Sequence, residues 1–215
     1  MTPATSFPPP LPVRARDNPF ATHRVLRVRY RLQDTTWLAL DARLRELNFR
    51  AAIVGPEGAG KTTLLEDLQQ RFELAGQPTQ GFVLRRGERN FSADVLRHVF
   101  PHLADDTIIL LDGAEQLSRL AWWSFRRRTR HCRGLVITSH RAGLLPTLLL
   151  CRTTPELFAE ILHELLGPHA AATLHAASRT LFQQQHGNLR DALRELYDLT
   201  ARGELLPRSP PPVRP

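Results

Sequence analysis

Apolar residues in this chain gather in short blocks separated by longer amphipathic stretches. Five blocks have the length of strands: Arg50-Ala51-Ala52-Ile53-Val54, Gly81-Phe82-Val83-Leu84-Arg85, Thr107-Ile108-Ile109-Leu110-Leu111-Asp112, Gly134-Leu135-Val136-Ile137-Thr138-Ser139 and Thr147-Leu148-Leu149-Leu150-Cys151. Unbroken apolar runs of this kind fit strands buried on both faces, as in a parallel sheet. Helical spacing fills the gaps: Leu38, Leu40, Leu44 and Leu47 before the first strand, and Leu64, Leu65, Leu68 and Phe72 after it. A helix is expected over Ala93 to His102, with Ser92 as its N-cap, and another from Ala114 to about Arg130. Alternating strands and helices predict an α/β fold, a three-layer sandwich around a five-stranded parallel sheet.

From Thr154 the pattern is wholly helical. Leu157, Phe158, Ile161, Leu162 and Leu165 form one stripe that ends at Gly167-Pro168, and two more helices follow, over about His169 to Gln185 and Leu189 to Ala201. Both ends of the chain are rich in proline. The expected organisation is a disordered arm over 1–17, a core over 18–153, a helical segment over 154–203 and a disordered tail over 204–215.

Composition adds one sharp fact: the chain has a single lysine, Lys61, while its other side chains of that class are arginine. Lys61 lies in Gly55-Pro56-Glu57-Gly58-Ala59-Gly60-Lys61-Thr62, which matches G-x-x-x-x-G-K-[ST], the Walker A pattern, and Thr63 joins these residues in the expected nucleotide-binding set. A compact ammonium on a flexible stem reaches β- and γ-phosphates as a point charge, where a planar guanidinium fork fits poorly. The motif needs a strand before it and a helix after it, and the flanks supply both. Gly55, Gly58 and Gly60 let the backbone bend so that its N–H groups approach an anion, and the helix N-terminus adds partial positive charge. Thr62 carries the hydroxyl expected at Mg²⁺. The apolar strand that ends on Asp112 supplies a second metal-side oxygen donor, acting through water or directly.

With both motifs in place, the stretch from about Asn48 to Arg202 resembles the additional-strand P-loop NTPases, and among them the AAA+ ATPases and their secretion- and transposition-helper relatives. The resemblance implies ATP and Mg²⁺ as cofactors, an ATPase reaction and a small C-terminal helical lid. In that family the Walker B aspartate is usually followed directly by a glutamate that polarises the attacking water. Here the sequence is Asp112-Gly113-Ala114-Glu115. Glu115 either points back to the site or favours a helix N-terminus electrostatically. The strand 134–139 resembles the sensor-1 strand, with Thr138, Ser139 and His140 as its polar candidates and Ser139 assigned to catalysis. His186-Gly187-Asn188-Leu189-Arg190 resembles the sensor-2 stretch, with Arg190 at the matching position or, alternatively, as a surface arginine. Together with Lys61 and Glu115, these complete the catalytic set. Arg141 and Arg152 are the positions for an arginine supplied to a neighbouring subunit.

Net charge is +8, which suits an anionic partner. The clusters carry more information than the total. Arg27 to Arg31 reads as an amphipathic strand with a basic face, and Arg126-Arg127-Arg128-Thr129-Arg130 closes a helix, where cations also complement the dipole. Nucleic acid is therefore one expected class of partner, beside nucleotide and a protein partner or self-association. No run reaches the length of a membrane span. Cys132 and Cys151 lack metal spacing and read as free thiols in a reducing cytoplasm. Two functional readings stand: an ATPase module whose nucleotide state drives a conformational change, or a nucleotide-gated adaptor with little hydrolysis.

Overall fold

A computed structural model of the chain describes residues 13–205. Most of the proline-rich arm and tail expected from the sequence lies outside these residues. The described residues divide into two compact units, one of residues 29–152 and the other of residues 13–28 with 153–205.

In the first unit, β1 (Arg50–Val54), β2 (Thr79–Val83), β3 (Ile108–Asp112), β4 (Gly134–Ser139) and β5 (Thr147–Leu150) form one sheet in the order β2-β3-β4-β1-β5. All four pairings are parallel. Successive residues of the central strands enter two separate cores, the signature of a sheet covered on both faces. Ala51, Ile53, Ile108, Leu110 and Val136 face one core, which also holds Leu40, Leu44, Leu64 and Leu68 from two helices, Trp37–Glu46 and Lys61–Leu74. Ala52, Val54, Ile109, Leu111, Leu135 and Ile137 face the other, which contains Phe91, Phe100 and Phe125. The fold is the expected α/β sandwich.

Three local expectations change. β2 starts at Thr79, two residues early, because its register with β3 runs from Thr79 opposite Ile108 to Val83 opposite Asp112. The helix expected over Ala93 to His102 is a π turn, Val95–Val99, running into a 3-10 turn, Phe100–His102. Pro101 offers no N–H to continue a regular ladder. The helix expected from Ala114 is split: Ala114–Gln116 is a separate 3-10 turn, and the α-helix spans Arg119–Arg128. Ser118 causes the break, since its backbone is extended and its hydroxyl accepts the Ala121 N–H at 3.2 Å as an N-cap.

A fourth expectation fails. Arg27 to Arg31 is not a strand. Val25 and Val28 pack in the helical unit, while Tyr30 and Leu32 pack in the sheet unit, so no edge is there to be paired.

The second unit is built from helices Pro155–Leu166, Pro168–Gln184 and Leu189–Ala201. Thr154 and Asn188 cap two of them, and Pro155 and Pro168 sit in first turns, where a missing N–H costs nothing. The N-terminal segment joins this unit. Phe20 is buried among Phe158, Leu162, Phe182 and Leu196, and Asn18 donates its side-chain amide to the Tyr197 carbonyl at 3.0 Å.

Candidate functional site

The strand order brings the motif residues together. β4 lies between β1 and β3, with Ile53 opposite Thr138 and Leu111 opposite Ile137. The loop after β1 and the aspartate that ends β3 are therefore two strand spacings apart, about 10 Å. The end of β4 stands between them.

The loop wraps the start of the helix Lys61–Leu74, with Gly58 at φ 73° and Gly60 at φ 78°. Both values lie in the left-handed region that glycine enters without strain. Gly55 is fixed by space: a Cβ there would stand 2.6 Å from the Cys151 carbonyl oxygen. Lys61 is only 8% exposed, and its ammonium donates to the carbonyls of Gly55 at 2.8 Å and Pro56 at 2.6 Å. The charge is thus held at the loop. Pro56 and Glu57 are exposed, Ala59 is buried, and Thr63 is half-buried in the first turn of the helix.

Asp112 has both oxygens engaged. Thr62 Oγ1 donates to Oδ2 at 2.9 Å, and Thr138 Oγ1 donates to Oδ1. Thr138 in turn accepts the Gly113 N–H at 2.8 Å. One carboxylate oxygen is therefore presented to the loop while the other is pinned by β4. The Thr62 and Asp112 oxygens make a pair of hard donors, suited to a cation that keeps most of its waters. Among the described residues no cluster of three His, Cys, Asp or Glu forms a metal cage.

The remaining candidates fall in distinct places. Ser139 is buried, and its hydroxyl donates to the Arg141 carbonyl at 2.8 Å, closing the turn after β4. Glu115 sits on the 3-10 turn, with Oε1 3.4 Å from His140 Nε2 and with Oε2 buried and without a hydrogen-bond partner. Gly113 has φ 83°, and a Cβ there would meet the Leu84 carbonyl oxygen at 2.6 Å. Arg141 and Arg152 are exposed. Arg190 is exposed in the first turn of the helix Leu189–Ala201, in the other unit, with its N–H capped by Asn188 at 3.1 Å.

A support for the loop was not legible in the sequence. Asp67, buried on the loop's own helix, accepts from Arg29 Nη1 at 2.8 Å and from the Tyr30 N–H at 2.9 Å. These bonds set the Tyr30 ring 3.1 Å from where a Gly60 Cβ would be. The Tyr30 hydroxyl is hydrogen-bonded to Cys151. Burial, ahead of that bond, pushes the phenol well above its usual range. Glu66, one turn beyond Thr62, has its carboxyl raised by burial first and then by Asp112 and Asp67.

A parallel sheet in this order, with a Walker A loop after β1 and an acid ending β3, defines a P-loop NTPase fold that resembles the AAA+ ATPases. Among solved structures, a variant of RuvB from Thermotoga maritima is similar at TM-score 0.53 and 18% identity, covering 80% of this chain and 64% of that one. NtrX from Brucella abortus in complex with ATP is matched more loosely, at TM-score 0.45 and 15% identity over 86% of this chain and 58% of that one. The chain thus spans less than two thirds of either structure. No protein-family model and no curated protein matches it.

Proposed function

We propose that this chain is an ATP-binding, AAA-like ATPase module whose nucleotide state drives a conformational change or a partner interaction. The observation that carries the reading is the 2.9 Å bond between Thr62 and Asp112. It puts the hydroxyl of the loop and the acid of β3 side by side, where a phosphate-bound cation needs both. The backbone N–H groups from Gly58 to Thr63 cradle the phosphates, and Lys61 exchanges its loop carbonyls for β- and γ-oxygens. Thr62 and Asp112 would hold Mg²⁺, which would supply Lewis-acid stabilisation of the phosphate charge. Thr138 keeps Asp112 oriented, and Ser139 keeps the β4 turn closed beside it.

Glu115 is the carboxylate assigned to orient water in this reading, which is supported by His140 beside one of its oxygens and by the other being buried without a partner. Arg190 enters as a nucleotide sensor through the sequence resemblance alone. Two buried free thiols suit a reducing, cytoplasmic setting. A second reading, an adaptor that binds ATP and turns it over little, is favoured by one observation: the backbone at Gly113 has no room for the glutamate that the family carries there.

Binding of a fluorescent ATP analogue tests the shared core of both readings. Lys61→Ala should lose it by at least roughly a hundredfold, and unchanged affinity removes the site. Turnover separates the two. Glu115→Gln should lower an ATPase rate by roughly a hundredfold, the range of a lost general base. A rate that the substitution leaves alone removes Glu115 from the catalytic role, and a wild-type rate near background favours the adaptor.

A further inference from the structure

From Ser118 to Arg133 the chain carries six arginines, Arg119, Arg126, Arg127, Arg128, Arg130 and Arg133, and no aspartate or glutamate. All six are exposed. Among the described residues none of them is ion-paired with a carboxylate. The carbonyls just past the helix Arg119–Arg128 have another partner. Arg50 from β1 already donates to the carbonyls of Thr129 at 3.0 Å, Arg130 at 3.0 Å and Cys132 at 2.9 Å. The arginines therefore form an unneutralised basic surface.

That surface is also aromatic. Phe125 turns inward, and Trp122 packs on it with ring centroids 6.0 Å apart. Trp123, on the opposite side of the helix, is 63% exposed, with the Arg127 guanidinium 5.9 Å from its ring centre. Leu120, one turn earlier, is 80% exposed. Beside them Ser124, Arg127, Arg128 and Arg130 line an open recess of about 330 Å³. Exposed guanidinium groups around an exposed indole match a chain of phosphates joined to flat bases. An acidic peptide would satisfy the arginines and leave the indole unused, and a duplex would keep its bases stacked out of reach.

We propose that this face, from Leu120 to Arg130, binds single-stranded nucleic acid, with the arginines on phosphates and Trp123 stacked on a base. The inference is independent of the nucleotide site, and its test omits ATP and Mg²⁺. The full chain is titrated into fluorescein-labelled dT20 and rU20 over a range of salt, followed by anisotropy. The wild type should bind, with log affinity falling linearly in log salt. Arg127→Ala/Arg128→Ala/Arg130→Ala should weaken binding at least tenfold and reduce the salt slope by about 2, the loss of three single-strand phosphate contacts. Trp123→Ala should weaken binding roughly tenfold and leave the slope unchanged. Arg85→Ala/Arg86→Ala/Arg89→Ala, an exposed triple with the same charge change, should alter neither.

Preference for dT20 or rU20 assigns DNA or RNA, and either supports the proposal. It is overturned if neither binds at low salt, or if the control triple lowers the slope as much as the patch triple. Binding indifferent to Trp123, with duplex DNA bound equally well, also overturns it. So does polyglutamate that displaces dT20 at equal charge concentration, which would make the face an acidic-protein site. Circular dichroism of each variant shows whether it is folded, and Trp123→Phe, which keeps a ring, should restore most of the affinity lost in Trp123→Ala.

Discussion

Gly113 marks the largest departure of this site from the family it resembles, and the structure gives it a physical cause. Its φ is 83°, and the Leu84 carbonyl oxygen lies 2.6 Å from the point a Cβ would occupy, which leaves no place for any side chain. Putting the family's glutamate back should therefore not restore a catalytic carboxylate. Gly113→Glu should cost roughly 2–4 kcal/mol, from left-handed strain plus the backbone clash. Thermal melts and ATP turnover measured together check this, and a stable variant with faster turnover contradicts it. The sequence shows that a glycine stands after the acid. It does not show that a carbonyl of the neighbouring strand exit occupies the Cβ position, because that contact joins residues far apart in the chain.

At the scale of elements, the helix Lys61–Leu74 does two jobs. Its first turn carries Lys61 and Thr62, which the Walker pattern names. Its second turn carries Asp67, which no pattern names. An acid amid Leu64, Leu65 and Leu68 reads as a solvated position, yet it is buried because the segment before Trp37 crosses it. Asp67→Ala removes the acceptor for both Arg29 and the Tyr30 N–H. A loss of roughly 1–3 kcal/mol follows, chiefly from the N–H left unpartnered, since the Arg29 side chain is mostly exposed and its ion pair is screened. Urea unfolding measures it. Analogue affinity should fall several-fold as well, because Tyr30 then no longer braces Gly60. An unchanged affinity would show that the brace is structural only. The misread strand at Arg27 to Arg31 has its cause at this scale too: alternation of arginine and apolar residues is a real signal, but here the apolar members are divided between two cores.

For the whole molecule, burial of titratable groups sets a pH dependence. Burial raises the thiols of both Cys132 and Cys151, with Arg50 and Tyr30 opposing it respectively. An unfolded thiol ionises near pH ~8.5. Above that value the unfolded chain sheds protons that the native chain retains, so stability falls as pH rises toward the native thiol values. Tyr30, raised by burial, adds a loss of the same sign at higher pH. Melting temperature should therefore drop steadily from about pH 8 upward, and Cys132→Ala/Cys151→Ala should flatten the drop. A double variant that falls as steeply as the wild type rules out the thiols. No helix among the described residues is long and apolar enough to cross a membrane.

The chain's own order of residues determined the five strands, the loop with its lone lysine and the acid that ends β3, because hydrophobic period and glycine spacing are local properties. It also determined three C-terminal helices, which begin and end on their own caps and prolines. Tertiary structure alone decided that β4 inserts between β1 and β3 and so chose Thr138 to hold Asp112, while Ser139 turned to its own loop. It alone decided that Phe20, Val25 and Val28 pack with helices from the other end of the chain. Strand order and long-range partners depend on which buried surfaces meet, and that is settled only when the whole core closes.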